Sequence, residues 1–353
     1  MNVLLLTDKL VTGGAEVYFC KLENHLQDMN GQLFTAAAKG ELYNQIVRKE
    51  CFITLSRNNH LSNLSKLCKI VKTNQIHLIH ANSLRMLLYS FAIKQLIKRD
   101  FKFIYTKHNV TILEKRAPVL FKNIMNRYVD VIITVSDFER ENLLSLGIDE
   151  KKVQTIYNGV DIEQFAFQPI RKKDKYRIGI LARLSKEKNH TFFIKIANEL
   201  RDVEDYMFYI AGDGPERENI SSKIEEYNLQ HKVKMLGNVA NPYEFICSVD
   251  LLILTSTREI FPMAIIEAMS VGTPIMSVDV GGVREAVKNE ETGILIPQYC
   301  EREFAQNIKR LRENQPMVEQ LKMKAREKVE TSFSMNHMIQ ATFRTYELVN
   351  KRP

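Results

Sequence analysis

One stretch of the sequence decides the fold: LLILTSTREIFPMAIIEAMSVGTPIMSV, residues 251–278. It opens with the short apolar run Leu251–Leu254, which has the length and composition of a buried strand. A helical pattern follows, in which Pro262 suits the first turn and Gly272-Thr273-Pro274 ends the helix before the next apolar run. The order strand, helix, strand predicts two parallel strands joined by a helical crossover.

The same alternation extends in both directions along the chain. Near-continuous apolar runs of this kind are typical of strands that are buried on both faces of a parallel sheet. The predicted strands are Asn2–Thr7, Leu33–Ala37, His77–His80, Lys102–Thr106, Val131–Val135 and Lys152–Ile156, followed by Tyr176–Leu181, Met207–Ala211, Val233–Leu236, Leu251–Leu254 and Pro274–Val278. Two series of strands between helical patterns predict two doubly wound α/β domains.

A polar stretch separates the two series. Asn158-Gly159 is a turn signal, and residues 168–175 contain Pro169 and show neither the helical nor the strand period. We therefore predict an N-terminal domain over residues 1–157 and a C-terminal domain over residues 168–334. A last amphipathic helix is predicted within residues 335–353. A length of 353 residues suits two cores of this size.

Composition excludes several classes of protein. The five cysteines form no C-x-x-C pair, which argues against a disulfide framework or a zinc site and favours a reducing cytosol. The first apolar run is too short for a signal peptide, and no run approaches the roughly 20 apolar residues that span a bilayer. We therefore expect a cytoplasmic protein, with any membrane contact peripheral and on the inner face of the plasma membrane.

The formal net charge of the chain is +8, and basic residues are concentrated over residues 94–127. The members of this basic cluster are Lys94, Lys98, Arg99, Lys102, Lys107, Lys115, Arg116, Lys122 and Arg127, against Asp100 and Glu114. Such a cluster suits an anionic lipid surface or a polyanionic acceptor, and an ordinary solvated basic face is an equally common explanation. Nucleic acid is the poorest of the partners, because no recognised nucleic-acid motif accompanies the cluster.

Two carboxylates and several glycines lie where a parallel sheet binds ligands. Glu259 comes just before the predicted helix and Glu267 lies in its second turn, near the carboxyl edge of the sheet. Gly13-Gly14 follows the first strand, where missing side chains let backbone amides approach a phosphate or a sugar. No D-x-D pair is present.

In their order along the chain, these motifs resemble those of the retaining glycosyltransferases of family four, whose mark is two glutamates separated by seven residues. The matching segments are Thr12–Glu16, Tyr105–His108, Asn158–Asp161, Ala182–Leu184 with Lys188-Asn189, Gly212–Pro215, Glu259–Glu267 and Gly281–Glu285. The resemblance covers nearly the whole chain. It implies the GT-B fold, with two Rossmann-like domains facing a cleft, and a final helix that crosses back to the N-terminal domain.

The resemblance also implies roles for individual residues. Arg183 and Lys188 would steady the diphosphate, which gathers negative charge as the glycosidic bond breaks. Glu259 and His108 would contact the transferred sugar, and Glu267 the ribose hydroxyls. The catalytic set it implies is Glu259, His108, Arg183 and Lys188, and the donor-binding set is Gly13, Gly14, Arg183, Lys188, Gly212, Gly214, Phe261, Pro262, Met263 and Glu267.

One position departs from the family pattern. Family members usually carry glycine after the first glutamate, and Ile260 stands there in this chain. A β-branched side chain at this position narrows the expected sugar pocket or alters the backbone, which puts the identity of the donor in doubt.

The expected reaction is retaining transfer of a sugar from a nucleotide-diphosphate-sugar, with UDP the expected nucleotide. The expected acceptor is a glycan or a lipid-linked glycan of cell-surface polysaccharide synthesis, with Lys115, Arg116 and Lys122 on the acceptor or membrane side. No metal and no other cofactor is expected. A nucleotide-sugar 2-epimerase on the same fold and an inactive glycosyltransferase-like binding partner remain as alternatives.

Overall fold

The computed structural model describes residues 1–11, 13–26, 31–97, 100–169 and 174–351. Thr12 of the first motif, Lys98 and Arg99 of the basic cluster, and residues 170–173 of the expected linker lie outside the described residues. The chain divides into two compact units, which are described separately below. The first unit comprises residues 1–158 together with the C-terminal helix, and the second comprises residues 159–334.

The first unit is built on a sheet of seven strands in the described residues, all of them parallel. They are β1 Val3–Lys9, β2 Leu33–Ala38, β3 Phe52–Thr54, β4 Leu78–Ala81, β5 Lys102–Lys107, β6 Val131–Thr134 and β7 Val153–Thr155. Their spatial order is β3-β2-β1-β4-β5-β6-β7. This is the doubly wound order, in which the direction of winding reverses between β1 and β4.

Helices cover both faces of this sheet, because its central strands are apolar on both sides. They are α1 Gly14–His25, α2 His60–Thr73, α3 Leu84–Ile97, α4 Ile112–Arg116, α5 Pro118–Tyr128, α6 Asp137–Ser145 and α14 Met335–Lys351, the last helix of the chain. One apolar core includes Phe103 and Phe121, and the other includes Phe19 and Tyr346 of α14. Short 3₁₀ turns lie at Glu41–Gln45, Lys49–Cys51 and Glu150–Lys152.

The second unit repeats the same plan with six described strands, again parallel. They are β8 Tyr176–Leu181, β9 Tyr206–Ala211, β10 Val233–Gly237, β11 Leu251–Leu254, β12 Ile275–Val278 and β13 Ile294–Ile296. Their order is β10-β9-β8-β11-β12-β13, so the winding reverses between β8 and β11.

The helices of the second unit are α7 His190–Glu199, α8 Arg217–Glu226, α9 Pro242–Ser248, α10 Met263–Val271, α11 Val283–Ala286, α12 Glu301–Glu313 and α13 Gln315–Ser332, with a 3₁₀ turn at Lys186–Lys188. The α10 helix ends at Gly272 in the left-handed region, as the sequence predicts. Of the described helices, none combines the length and the apolar character needed to cross a bilayer.

Three details differ from the sequence-based expectation. The strands β3 and β13 were not predicted; each has three residues and a single partner strand at a sheet edge, so neither carries a readable period. Pro262 is the N-cap of α10 and lies one position before its first turn. The sequence also shows a basic helical pattern from Lys115 through Pro118 to Arg127, but the structure breaks it at Ala117, because the residue before Pro118 is disfavoured in the helical conformation.

Candidate active site

The reversal of winding in the second unit brings two loops together at the carboxyl ends of β8 and β11. The loop after β8 carries Arg183 and Lys188, and the loop after β11 carries Glu259. Lys188 Nζ donates a hydrogen bond of 2.6 Å to Glu259 Oε1, across 71 positions of sequence. Open α/β sheets bind ligands at this type of position, so the pair marks the candidate site.

Glu259 is held in place by a chain of polar contacts. Its side chain is 8% exposed, and the Ser256 hydroxyl donates to the same oxygen that Lys188 contacts, at 2.6 Å. Tyr299, just before α12, donates its hydroxyl to the Ser256 carbonyl at 2.7 Å. The carboxylate therefore has a charged and a neutral donor on one oxygen, which orients it before any ligand arrives.

The loop after β12 closes against the backbone of Glu259. Gly281 has φ +55°, and a side chain there would place its Cβ 1.9 Å from the Glu259 carbonyl oxygen. The Gly282 amide donates to that carbonyl at 3.2 Å. Only glycine permits this approach at position 281, so Gly281 and Gly282 of the sequence motif lie directly beside Glu259.

The loop after β9 packs in the same way on the loop that carries Arg183. Gly212 has φ +137°, and a Cβ there would lie 2.0 Å from the Ala182 carbonyl oxygen. Gly214 lies similarly close to Leu184. Arg183 is exposed and forms no ion pair with any residue that the structure describes. Its guanidinium is therefore available to a ligand at this edge of the sheet.

The start of α10 is set by residues that the sequence placed in the donor site. The Phe261 ring is buried and stacks edge-on against Phe333, with 5.2 Å between the ring centroids. Pro262 is buried, whereas Met263 and Glu267 are half-buried. Ile260 is not one of the described non-glycine residues with a positive φ, so the backbone after Glu259 does not require glycine.

In the first unit, the predicted residues lie at the carboxyl ends of β1 and β5. His108 is half-buried, donates from Nε2 to Asn82 Oδ1 at 3.2 Å and packs edge-on against Tyr18. Burial lowers the pKa of His108 to about 3, so its ring is neutral at physiological pH. Gly13 is the N-cap of α1, and the space around the missing Cβ of Gly14 is open.

Only part of the basic cluster forms an exposed basic surface. Lys107 is fully buried and pairs with Glu139 and Glu114, the latter at 3.1 Å. Lys94 pairs with Asp100 at 3.1 Å. Lys115 and Arg116 are exposed at the end of α4, whereas Lys122 is half-buried and lies against Gly147.

Two family models match the chain in succession. The model described as Glycosyltransferase Family 4 matches residues 12–164, and the model described as Glycosyl transferases group 1 matches residues 161–328. The chain belongs to the family-four glycosyltransferases. Together the two matches include every segment from Gly13 to Glu285 that carries the sequence resemblance.

Relatives of this glycosyltransferase include other bacterial glycosyltransferases, one of them an enzyme of O-antigen biosynthesis. It is 26% identical over 303 residues to the O-antigen biosynthesis glycosyltransferase WbnH of Escherichia coli, covering 84% of this chain and 86% of that protein. It is 27% identical over 234 residues to the N-acetylgalactosamine-N,N'-diacetylbacillosaminyl-diphospho-undecaprenol 4-alpha-N-acetylgalactosaminyltransferase of Campylobacter jejuni, covering 65% of this chain and 60% of that enzyme.

Among solved structures, the glycosyltransferase resembles Anabaena Alr3699/HepE in complex with UDP-glucose. The TM-score is 0.85 at 21% identity, and the match covers 98% of this chain and 99% of HepE. Together with the two doubly wound sheets, this likeness shows the GT-B fold.

Sequence reasoning missed several residues of this glycosyltransferase that hold the predicted ones in place. Ser256 lies three residues before Glu259, and a hydroxyl so close to a predicted site carboxylate is a signal that could have found it. Asn82 directly follows β4, whose neighbour in the sheet is β1. Tyr299 lies 43 residues from Ser256 and had no local signal, because only the packing of the second unit brings the two together.

Proposed function

We propose that this glycosyltransferase is a retaining, metal-independent enzyme that uses a nucleotide-diphosphate-sugar donor. The observation that carries the proposal is the Lys188–Glu259 hydrogen bond of 2.6 Å at the reversal of winding in the second unit. It joins an ammonium group that suits a diphosphate to a carboxylate that suits sugar hydroxyls. The HepE structure holds UDP-glucose, which favours UDP as the nucleotide here as well.

In the proposed reaction, the bond between the anomeric carbon and the diphosphate oxygen breaks, and a bond to the acceptor oxygen forms on the same face of the sugar. Negative charge develops on the departing diphosphate, where Arg183 and Lys188 stabilise it. The acceptor proton passes to the departing phosphate oxygen. Glu259 orients the sugar and Glu267 holds the ribose. The neutral ring of His108 donates a hydrogen bond to the sugar or accepts one from it.

The proposed acceptor is a glycan or a lipid-linked glycan of cell-surface polysaccharide synthesis. The proposal draws on two relatives, one an O-antigen biosynthesis glycosyltransferase and the other an enzyme that acts on a diphospho-undecaprenol substrate. We further propose that the first unit touches an anionic membrane surface on the cytoplasmic side. The contact region is the α4–α5 corner, defined as residues 112–122, where Lys115 and Arg116 lie beside exposed apolar side chains.

The function is tested by measuring UDP-sugar consumption and acceptor glycosylation for Arg183→Ala and Lys188→Ala. Each change should lower kcat/KM by about a hundredfold or more, because a fixed cation that faces the developing charge is lost. The matched control is Lys186→Ala, an exposed lysine in the same loop that forms no ion pair with any described residue.

Wild-type rates in both Arg183→Ala and Lys188→Ala would overturn the proposed diphosphate clamp. Conversion of the donor without any acceptor would point instead to a nucleotide-sugar 2-epimerase. Donor binding with no turnover for any acceptor would point to a binding partner without activity.

A further inference from the structure

A cavity lies in the second unit, at the opposite edge of the sheet from Glu259. It has a volume of about 470 Å³ and is lined by residues at the amino ends of three central strands. Tyr176 begins β8, Asp250 precedes β11 and Pro274 precedes β12. Because β11 and β12 have four residues each, the sheet separates this cavity from the candidate active site by roughly 13 Å.

One wall of the cavity carries a buried lysine, and two other cations and two carboxylates also line the cavity: Lys175, Arg312, Glu244 and Asp250. Lys322 of α13 is 3% exposed, and its Nζ lies 3.5 Å from its hydrogen-bond acceptor, the Gln168 carbonyl oxygen. It lies over the Phe167 ring at 5.3 Å and forms no ion pair with any of the residues in the described ranges. Burial lowers the pKa of Lys322, as expected for an ammonium group withdrawn from water.

Two other buried lysines show how this chain normally satisfies such a group. Lys107 pairs with two glutamates. Lys232, which is also 3% exposed, donates to two backbone carbonyls at 2.6 and 2.8 Å. Lys322 has one long hydrogen bond and a contact with the Phe167 ring, and of these three lysines it alone lines the cavity. A buried ammonium group with so few partners is costly, and an anion in the cavity would remove that cost.

We propose that this cavity is a second ligand site, which binds a small organic anion through Lys322. The volume falls within the range of small-molecule sites. Tyr176, Tyr243, Val249 and Leu311 give the walls an apolar and aromatic character. The ligand is therefore a carboxylate or a phosphate monoester that carries a compact apolar or aromatic body.

The proposal is tested with phenyl phosphate and benzoate as probes, and with benzyl alcohol as the neutral analogue. Isothermal titration calorimetry on the full-length protein should show binding of at least one anionic probe and none of benzyl alcohol. The Lys322→Met change should weaken binding about tenfold or more, because a hydrogen-bonded charge is lost. Lys322→Arg keeps the positive charge and should keep the binding.

Two control variants separate this site from other sources of anion binding. Lys324→Met removes a half-buried charge from the same helix and should bind the probes like the wild type. Arg183→Ala should also retain binding, since it alters only the opposite edge of the sheet. Equal binding by the wild type and Lys322→Met, loss of binding in Arg183→Ala, or no binding of either anion would each overturn the proposal.

Discussion

Histidines show most clearly how burial sets the chemistry of single residues in this protein. His80 is fully buried and uses both ring nitrogens, bonding Tyr346 of α14 and Thr106 of β5 at 2.6 Å each. Burial, with a smaller contribution from the neighbouring His108, lowers the pKa of His80 to about 3. Burial also lowers the pKa of His190 in the second unit to about 4. All three rings are neutral at pH 7.

The neutral histidines predict acid sensitivity. A histidine in the unfolded chain titrates near pH 6.5. Between about pH 6.5 and pH 3, the His80 ring is therefore protonated in the unfolded chain but stays neutral in the folded protein. Stability is therefore present in full above pH 6.5 and is lost as the pH falls, by up to about 1.4 kcal/mol per pH unit for each histidine. Urea unfolding at pH 7, 6 and 5, followed by circular dichroism, should show the decline.

The His80→Gln change identifies the contribution of this one ring. The variant should be less stable at pH 7, because two buried hydrogen bonds are lost, and its stability should fall less steeply with pH. The control is His231→Gln, at an exposed position, which should leave the slope unchanged. An equal slope in the wild type and in His80→Gln would show that His80 takes up its proton in the folded state.

At the scale of elements, the α4–α5 corner is the region of the proposed membrane contact. Ile112, Val119 and Leu120 are 73%, 70% and 52% exposed, and Lys115 and Arg116 lie between them in sequence. The capping box of Thr111 and Glu114 and the buried Lys107 anchor α4 to the first unit. Apolar and basic side chains are thus presented together on an anchored element, as binding to an anionic bilayer surface requires.

The corner predicts reversible, salt-sensitive binding to anionic vesicles. In co-sedimentation with phosphatidylglycerol-containing vesicles, Lys115→Glu/Arg116→Glu should weaken binding by on the order of tenfold or more, since each basic residue near the surface adds about 1 kcal/mol. Added salt should weaken wild-type binding through screening.

The control for the corner is Lys69→Glu/Lys72→Glu, which makes the same change in net charge on exposed positions of α2. This variant should bind nearly as well as the wild type. Equal losses in the two double variants would reduce the effect to net charge, and a wild type that ignores anionic vesicles at low salt would refute membrane contact.

At the scale of the whole molecule, the two units repeat one strand order, and the second unit supplies cations of its own at the candidate site. Arg183 and Lys188 come from a single loop, anchored where Thr255 Oγ1 donates to the Lys188 carbonyl at 2.9 Å. In the proposed mechanism, these guanidinium and ammonium groups take the place of the charge that a divalent ion contributes in other phosphate-transfer sites.

The full-length enzyme should therefore keep its transfer rate in excess EDTA. The measurement is release of the nucleotide from the donor in the presence of acceptor, with and without the chelator, and with Mg²⁺ or Mn²⁺ added back. A rate within about twofold of the untreated enzyme is expected, because the protein's own cations stabilise the leaving group. Loss of activity in EDTA that Mg²⁺ or Mn²⁺ restores would contradict the prediction.

Much of this architecture was determined by the sequence alone. The central strands and the α10 helix that ends at Gly272 follow from local periods and turn residues, which act over a few positions. The ordered motifs identified the family for the same reason, since each lies at or shortly after the carboxyl end of a strand. The positions of Glu259 and Glu267 around the start of α10 were likewise readable in advance.

Tertiary structure decided which of these residues meet. The short edge strands β3 and β13 exist because a neighbouring strand supplies their hydrogen bonds. Lys107 is not part of the exposed basic surface, because it is buried and pairs with Glu114 and Glu139. Lys188 contacts Glu259 because the winding reverses between β8 and β11. Contacts between residues far apart in the chain depend on strand order, which no local pattern records.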